Sequence, residues 1–545
     1  MEFNYRFLGS SAISHSANQS ELSFAPDTLR EPTYFVAELA QHLPFREAIS
    51  ALNAVVVADL RFQPKDRTEY LAWLKQHEQR LLADYLVEQQ VVDRRLDEVR
   101  AELADVRKQQ SQVMAPYYKA QNTYFKWLYK HDFDAWFVLD PVITVHPDQV
   151  MFECFSQDES AYGCLSCNYE VFKNITDQAY GTTNIDYSAG LYNEFQKIRD
   201  YRKTELRIEP AGFSVATSGS EQFKEEKIDL PDSWVRGFLQ VSSAMTLPMV
   251  EAVLHPMDIH NLLFHLKRKK ERHGPRSLRF QLLPGKPVKV IIEPWEQSIT
   301  FHRSIFQGTE EREIRIWGRR RLLMLERLLP YAKQFKMCLL GTGMPSFFIA
   351  DLGDLRFTLG LSGWSSNDWS RMGEFNLMTS REEVDADTQA TVFKQLQKSW
   401  SASTDQLAVS LKLERSIIIS ALSAYSQAGR VVYDLASDVY RCRELSREPL
   451  PIDALRFASP QEEKAQRLLT AGLVKLKHQT PYADGIKLVG QVRDDGKKLS
   501  VELIIDSDRR LTQASCECSH FIRNRLYKGP CEHMLALRLR AEADI

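Results

Sequence analysis

Near the end of the chain, "CECSHFIRNRLYKGPCEHMLALRLR" (516–540) packs Cys516, Cys518, Cys531 and His533 into eighteen positions. The spacing is C-x-C, twelve intervening residues, then C-x-H. Three thiolates and one imidazole are the soft and borderline donors that tetrahedral Zn²⁺ accepts. With all four positions filled by protein, no coordination place remains for water or substrate. The expected cofactor is therefore one structural Zn²⁺, not a catalytic one. His520, two residues after Cys518, is near enough to compete as a ligand, but its position suits a bystander. A second thiol group, Cys154 and Cys164-x-x-Cys167 with His146 upstream, has less regular spacing and is a weaker candidate for a metal.

Such a site needs elements that bring its ligands together. Within 452–545, a helix ("PQEEKAQRLLTAG") precedes two strands ("IKLVGQVR" and "KLSVELIID") joined at Asp494–Asp495–Gly496. Cys516 and Cys518 are expected to leave a strand together. Cys531 and His533 are expected to reach inward from the first turn of the helix "EHMLALRLRAEA". Pro530 precedes that turn, where its missing N–H costs little. Residues 388–447 read as three helices followed by a β-ribbon, with Ser403 or Thr404 as a cap and Gly429 as a stop, which is a winged-helix-like plan.

Residues 136–385 form a β-rich α+β body of short alternating runs, interrupted by one helix, "GRRRLLMLERLLPYAKQF". Residues 66–135 form a long helical hairpin or coiled coil, with Leu82, Leu96 and Leu103 on one seam row and Val92, Val99 and Val106 on the other. Residues 1–65 are an N-terminal α/β segment. The fold class expected is α+β and multidomain.

Net charge is −2, so any attraction to nucleic acid must come from one local face. From Lys464 onward there are fifteen Lys/Arg against ten Asp/Glu. "FIRNRLYKG" interleaves aromatic and basic residues between the ligand pairs, which makes Arg523, Arg525 and Lys528 candidate contacts to DNA, RNA or a protein partner. In the winged-helix-like segment the third helix offers only Arg415, and Arg430, Arg441 and Arg443 lie on the expected wing. "WGRRRL" offers Arg319, Arg320 and Arg321 as an anion-binding patch or as a salt-bridged helix start. "LSGWSSNDWS" places Trp364 and Trp369 in a binding loop or as core anchors.

Other chemistry finds little support. "GTGMPS" lacks the G-K-[ST] ending of a phosphate loop, and no Ser/His/Asp order or HExxH motif stands out. The opening "MEFNYRFLGSSAIS" shows no basic region followed by an apolar run, and no apolar stretch is long enough to span a membrane. Eight cysteines in 545 residues are too sparse for a disulfide scaffold, which predicts reduced thiols and a cytoplasmic address.

The ligand spacing on a ββα frame resembles the SWIM zinc finger, over roughly the last 60 residues. Each of Cys516, Cys518, Cys531 and His533 matches the ligand pattern of that finger. "WGRRRL" (317–322), "LLGTGMPSF" (339–347), "LSGWSSNDWS" (361–370) and "GRVVYDLASDVYRCREL" (429–445) resemble bacterial SWIM proteins encoded beside a MoxR-type AAA+ ATPase and a von Willebrand factor A protein. That resemblance implies a non-enzymatic zinc-binding adaptor in an ATPase-driven system, with a stress or phage-defence role. It implies no catalytic residue. The alternative is an enzyme, such as a nuclease or nucleotide-handling activity, within 136–385. A perturbed carboxylate cluster in a cleft there would favour the enzyme, and a sealed body the adaptor.

Overall fold

The computed structural model describes residues 12–15, 19–24, 33–58, 141–184, 192, 195–201, 203–208, 232–269, 276–363, 368–370, 374–379, 384–445, 460–482 and 485–542. One compact unit comprises 1–59 and 139–545, and a second comprises 60–138. The helical run expected over 66–135 lies outside the described residues, as does Trp364. Among the described residues, no helix is long and apolar enough to cross a membrane.

The early strands are β1 (Ala12–His15), β2 (Gln19–Phe24) and β3 (Tyr34–Leu39), followed by helix α1 (His42–Val56). Then come β4 (Val142–Val145), β5 (Gln149–Phe155), β6 (Ala161–Asn168), β7 (Phe172–Ala179), β8 (Gly181–Asn184) and β9 (Lys203–Ile208). Helix α2 (Asp232–Met245), β10 (Val250–Leu254) and α3 (Pro256–Arg268) lead into the meander β11 (Ser277–Leu282), β12 (Pro287–Ile292), β13 (Gln297–Ile305) and β14 (Arg312–Trp317). The body ends with β15 (Gln334–Leu339), β16 (Ser346–Asp351) and β17 (Leu355–Leu361).

Three sheets result: β1-β2-β9-β3-β7, β10-β15-β16-β17-β6-β5-β4-β8 and β13-β12-β11-β14. Strand β3 pairs with both β7 and β9, so the N-terminal segment is woven into the body. The eight-stranded sheet is covered on both sides. Because strand side chains alternate, β5 sends Val150, Phe152 and Cys154 into one core and Met151 and Phe155 into another. Doubly buried strands read as unbroken apolar runs, as "QVMFECF" does. Gly163 on β6 lies tight against α1, since a Cβ there would be 3.1 Å from Val55 and 3.3 Å from Leu52. The expected helix after "WG" is a 3₁₀ helix, Arg319–Leu328.

The next segment runs α4 (Ala386–Ser399), β18 (Ser401–Ala402), α5 (Thr404–Leu411), α6 (Arg415–Gln427), β19 (Val431–Asp434) and β20 (Val439–Cys442), with sheet order β18-β20-β19. Ser403 caps α5 through a reciprocal capping box with Gln406, at 3.2 and 2.9 Å. Phe393 stacks on Tyr425 with ring centroids 4.1 Å apart inside this segment's own core.

The basic residues expected on a wing are not available to phosphate. Arg443 is 1% exposed and bonds Glu153 at 3.0 Å, while Tyr162 donates to the same carboxylate at 2.8 Å. Arg441 is buried between Asp434 (2.9 Å) and Asp148 (2.8 Å). Arg430 lies over the Phe393 ring at 4.8 Å and pairs with Glu444 at 3.5 Å. Guanidiniums that desolvated need partners; Arg443 and Arg441 find theirs in the body, at Glu153 and Asp148, and Arg430 finds its own within this segment. Beyond Arg415, no residue of α6 is exposed. Arg415 itself pairs with Asp508 at 3.1 Å and with Asp405.

Candidate metal centre

The C-terminal segment opens with α7 (Pro460–Thr470) and builds an antiparallel sheet from β21 (Val474–Tyr482), β22 (Gly485–Asp494), β23 (Lys497–Ile505) and β24 (Leu511–Cys516). Helices α8 (Ser519–Asn524) and α9 (Glu532–Glu542) follow. Asp495 and Gly496 join β22 to β23 with φ values of 47° and 75°, the positive-φ pair that an Asp-Gly hairpin turn supplies. Helix α9 covers one face of the sheet. At Gly490 a Cβ would sit 2.3 Å from Leu537, so glycine is what admits the helix there. Val492, Leu488, Val501 and Leu503 fill the space between.

Three element ends converge on the ligands. Strand β24 ends at Cys516, and Cys518 caps α8, its sulfur accepting from the Phe521 N–H at 3.4 Å. The Cys531 carbonyl accepts the first α9 bonds from Met534 (3.1 Å) and Leu535 (3.2 Å), which leaves its thiol and His533 on the inward side of the helix start. All four side chains are buried, and their ligand atoms lie within 4.8 Å of one another. Strand β21 and helix α8 are the elements of this segment that the sequence reading did not foresee.

The His533 Nε2 atom donates to Asp494 at 3.0 Å. Its Nδ1 is buried and has no hydrogen-bond partner, which leaves it as the nitrogen for the thiol group. A buried ring nitrogen with no partner, beside three thiols, is what a metal ligand looks like from the protein side. Lys464 on α7 bonds Asp494 at 2.7 Å and Glu532 at 3.0 Å, so the carboxylate that orients the imidazole is itself held. Asp494, Glu532 and His533 also lie within ligand distance of one another, but the Lys464 ammonium already bonds both carboxylates.

The electrostatics fit a dication. Burial pushes His533 down, yet the Cys516 and Cys518 sulfurs and Asp494 outweigh it and raise the imidazole to about 10. Hydrogen bonds from Cys516 and Cys531 hold Cys518 far below the ordinary thiol range, whereas Cys516 and Cys518 together push Cys531 far above it. Three crowded sulfurs cannot all ionise without a cation among them, and Zn²⁺ supplies that charge. Asp494 is lowered despite its burial, through its bonds from Lys464 and His533.

The remaining candidates are placed as follows. Arg523 and Arg525 are exposed on and just after α8, and Lys528 is half-buried. Arg525 lies over the Phe521 ring at 5.3 Å. Gly529 closes this loop against the body, where a Cβ would meet the Glu374 carbonyl at 2.7 Å. Arg319 and Arg321 do not form a surface patch. Arg319 is 1% exposed and donates to the Ser277 carbonyl (3.0 Å) and the Glu293 carbonyl, while Arg321 pairs with Asp158 at 3.3 Å. Arg320 is half-buried beside them. Trp369 is a core anchor against Phe347.

Among the described residues, Cys154, Cys164, Cys167 and His146 form no metal-holding group. Cys154 and Cys167 belong to one core and Cys164 to the other. The sequence reading missed Asp494 and Lys464. The signal was the turn itself, because Asp494, two residues after the inward Val492, shares its face of the strand.

Residues 498–541 match the SWIM zinc finger family model, and all four ligands fall within that span. The C-terminal part of the chain is a SWIM zinc finger with one structural zinc site. No curated protein matches the chain. Among solved structures, the chain is similar to proliferating cellular nuclear antigen from Entamoeba histolytica, with TM-score 0.33 and 7% identity over 60% of this chain and 97% of that one. It is also similar to the structure of the C-terminal region of FEN-1 bound to A. fulgidus PCNA, with TM-score 0.27 and 12% identity over 41% and 89%. Both TM-scores are too low to assign a shared fold.

Proposed function

We propose that this chain is a non-catalytic adaptor whose zinc-stapled finger is held on a rigid body and presented to a partner. The observation that carries this reading is the closed ligand set: four buried protein donors, with the histidine positioned by Asp494 and Lys464. Such a site contributes folding energy and shape and has no place for a substrate.

The body supports the same reading. Its buried carboxylates are engaged: Glu153 by Arg443, Asp158 by Arg321, Asp258 by the Ser304 hydroxyl (2.7 Å) and Glu293 by Arg315 (2.6 Å). Carboxylates tied up in this way are poor general acids or bases.

The order helix, strand, helix, helix, hairpin over 386–442 is that of a winged helix, and we read it so. In this protein the third helix, α6, is packed against the body and bonded through Gln427 to Ser243 at 2.7 Å. A helix without an exposed face cannot enter a major groove, so this winged helix acts as a spacer between body and finger. Its open side is α5, where Val409 is 80% exposed, a position suited to a protein contact.

Partners in this reading are a MoxR-type AAA+ ATPase and a von Willebrand factor A protein, on the strength of the sequence resemblance. Affinity capture of the full chain from its own cells, followed by mass spectrometry, tests this. Recovery of either protein, and its loss on Val409→Asp or Cys516→Ser, is the expected result. Capture that repeatedly returns neither protein overturns the docking claim.

A further inference from the structure

The face of the finger sheet that α9 leaves open carries a second surface. Strand register places Lys475 beside Gln491, and Arg493 directly opposite Lys498. Lys487 and Glu502 lie on the same face and pair at 2.7 Å. Lys475, Arg493 and Lys498 are exposed and have no side-chain partner among the described residues. Between and beside them lie Gln491, Ser500, Gln513 and Ser515, all capable of hydrogen bonding. Glu517, just past β24, holds the Ser500 N–H at 2.8 Å, and Asp495 is exposed in the turn between Arg493 and Lys498.

Two cations directly opposite on neighbouring strands repel and destabilise the pair. Arg493 and Lys498 hold that arrangement at the hairpin end, where Asp494 turns to the other face and clamps His533. The corner is thus fixed from behind by the zinc site and left uncompensated in front. Among the described strand residues of this face no Phe, Tyr or Trp lies beside these cations, and Tyr482 stands at the far end of β21. Stacking of unpaired bases has no platform here, so a regular phosphate backbone is the complementary ligand.

We propose that this open face, centred on Lys475, Arg493 and Lys498, binds the phosphate backbone of double-stranded nucleic acid without reading sequence. The inference rests on the adaptor reading and names a ligand for its finger. It differs from a contact through Arg523, Arg525 and Lys528, whose loop closes against the body at Gly529.

The test uses the full-length zinc-loaded chain, a fluorescent 30-base-pair DNA duplex, its single strand, and salt titration by anisotropy. Binding of the duplex should weaken with salt at a slope of about −3, roughly −0.9 for each phosphate neutralised. Arg493→Gln/Lys498→Gln should keep its zinc, lose about tenfold or more in affinity at low salt, and reduce the slope by about 2. Arg493→Lys should restore most of the binding. The variant Arg523→Ala/Arg525→Ala/Lys528→Ala should bind within about twofold of the parent. If the loop variant loses binding and the sheet variant does not, the surface assignment is wrong while the adaptor reading stands. If the single strand binds as well as the duplex, or polyglutamate competes equally at matched charge, the duplex backbone is not the ligand. If the parent chain binds no nucleic acid at low salt, the proposal fails and the finger is a protein-contact module.

Discussion

Two regions of this molecule each hold three cysteines and one histidine: His146, Cys154, Cys164 and Cys167 in the body, and Cys516, Cys518, Cys531 and His533 in the finger. Only the second set converges. On β6, residues three apart face opposite ways, so the Cys164 and Cys167 thiols enter different cores. In the finger, a strand end, a helix cap and a helix start aim their side chains at one point. The histidines diverge in the same way. Burial depresses both, but His146 meets Arg441 and falls to about 4, while His533 meets sulfurs and Asp494 and rises to about 10. Composition does not make a metal site. Convergent element ends and an outer shell that fixes the imidazole do.

The sharpest way to break the comparison is to exchange sulfur for oxygen in each set. Cys516→Ser or Cys531→Ser should take zinc from about one per chain to below about a tenth. Because structural zinc binding in small fingers is worth on the order of 10 kcal/mol, the sheet around β22 and β23 should then open to protease. Cys164→Ser should leave zinc content unchanged. Metal analysis with limited proteolysis decides, and full zinc in Cys516→Ser would remove the distinction.

The body has ion pairs where the finger has a metal. Arg443 and Glu153 are each about 1% exposed in their side chains and form one such strut at 3.0 Å. Arg443→Met leaves Glu153 buried and uncompensated, with an expected loss of about 3–5 kcal/mol in denaturant unfolding. Adding Glu153→Gln should recover part of it. A chelator should destabilise the finger and leave this strut untouched, whereas equal chelator sensitivity of both regions would contradict the picture.

These outcomes also show what was legible in the residue string. The ligand spacing, Pro530, the Asp495–Gly496 turn, Ser403 as a cap and Gly429 as a stop act over a few residues, and local rules read them. What escaped depends on distant partners. Arg443 looks like a wing cation until Glu153, 290 residues away, is beside it. Arg319 and Arg321 look like a patch until their backbone and Asp158 partners are known. Asp494 was placed at the turn correctly, but its role requires knowing that α9 brings His533 to it.

The histidine contrast gives a pH prediction. The depressed value of His146 means that the folded state resists a proton that the unfolded chain accepts below about 6.5. Between about 6.5 and about 4 the unfolded state therefore binds more protons, and stability falls as pH falls. Asp148 and Asp434 raise the value and Arg441 lowers it, so the net loss is on the order of 3 kcal/mol at most. His146→Gln keeps a donor for the Cys442 carbonyl, which the imidazole bonds at 2.8 Å, and should flatten this part of the stability profile. An unchanged slope would assign it to other groups.

The smallest effect concerns the outer shell, and it separates the two histidines most cleanly. Asp494→Asn still accepts a hydrogen bond from His533 Nε2 but removes the charge that Lys464 and the imidazole share. The zinc ligands stay in place, so metal should remain bound at stoichiometric concentration. Affinity should fall about 10–100-fold in competition with a chromogenic chelator, as for other carboxylates behind a ligating histidine. Asp148→Asn makes the corresponding change in the body, where Asp148 faces Arg441 at 2.8 Å, and should leave zinc affinity unaltered. If Asp494→Asn holds zinc as tightly as the parent, convergence of the four ligands alone makes the site. The outer shell would then be part of the packing between α7 and α9, and the difference between the two regions would reduce to where their chain segments end.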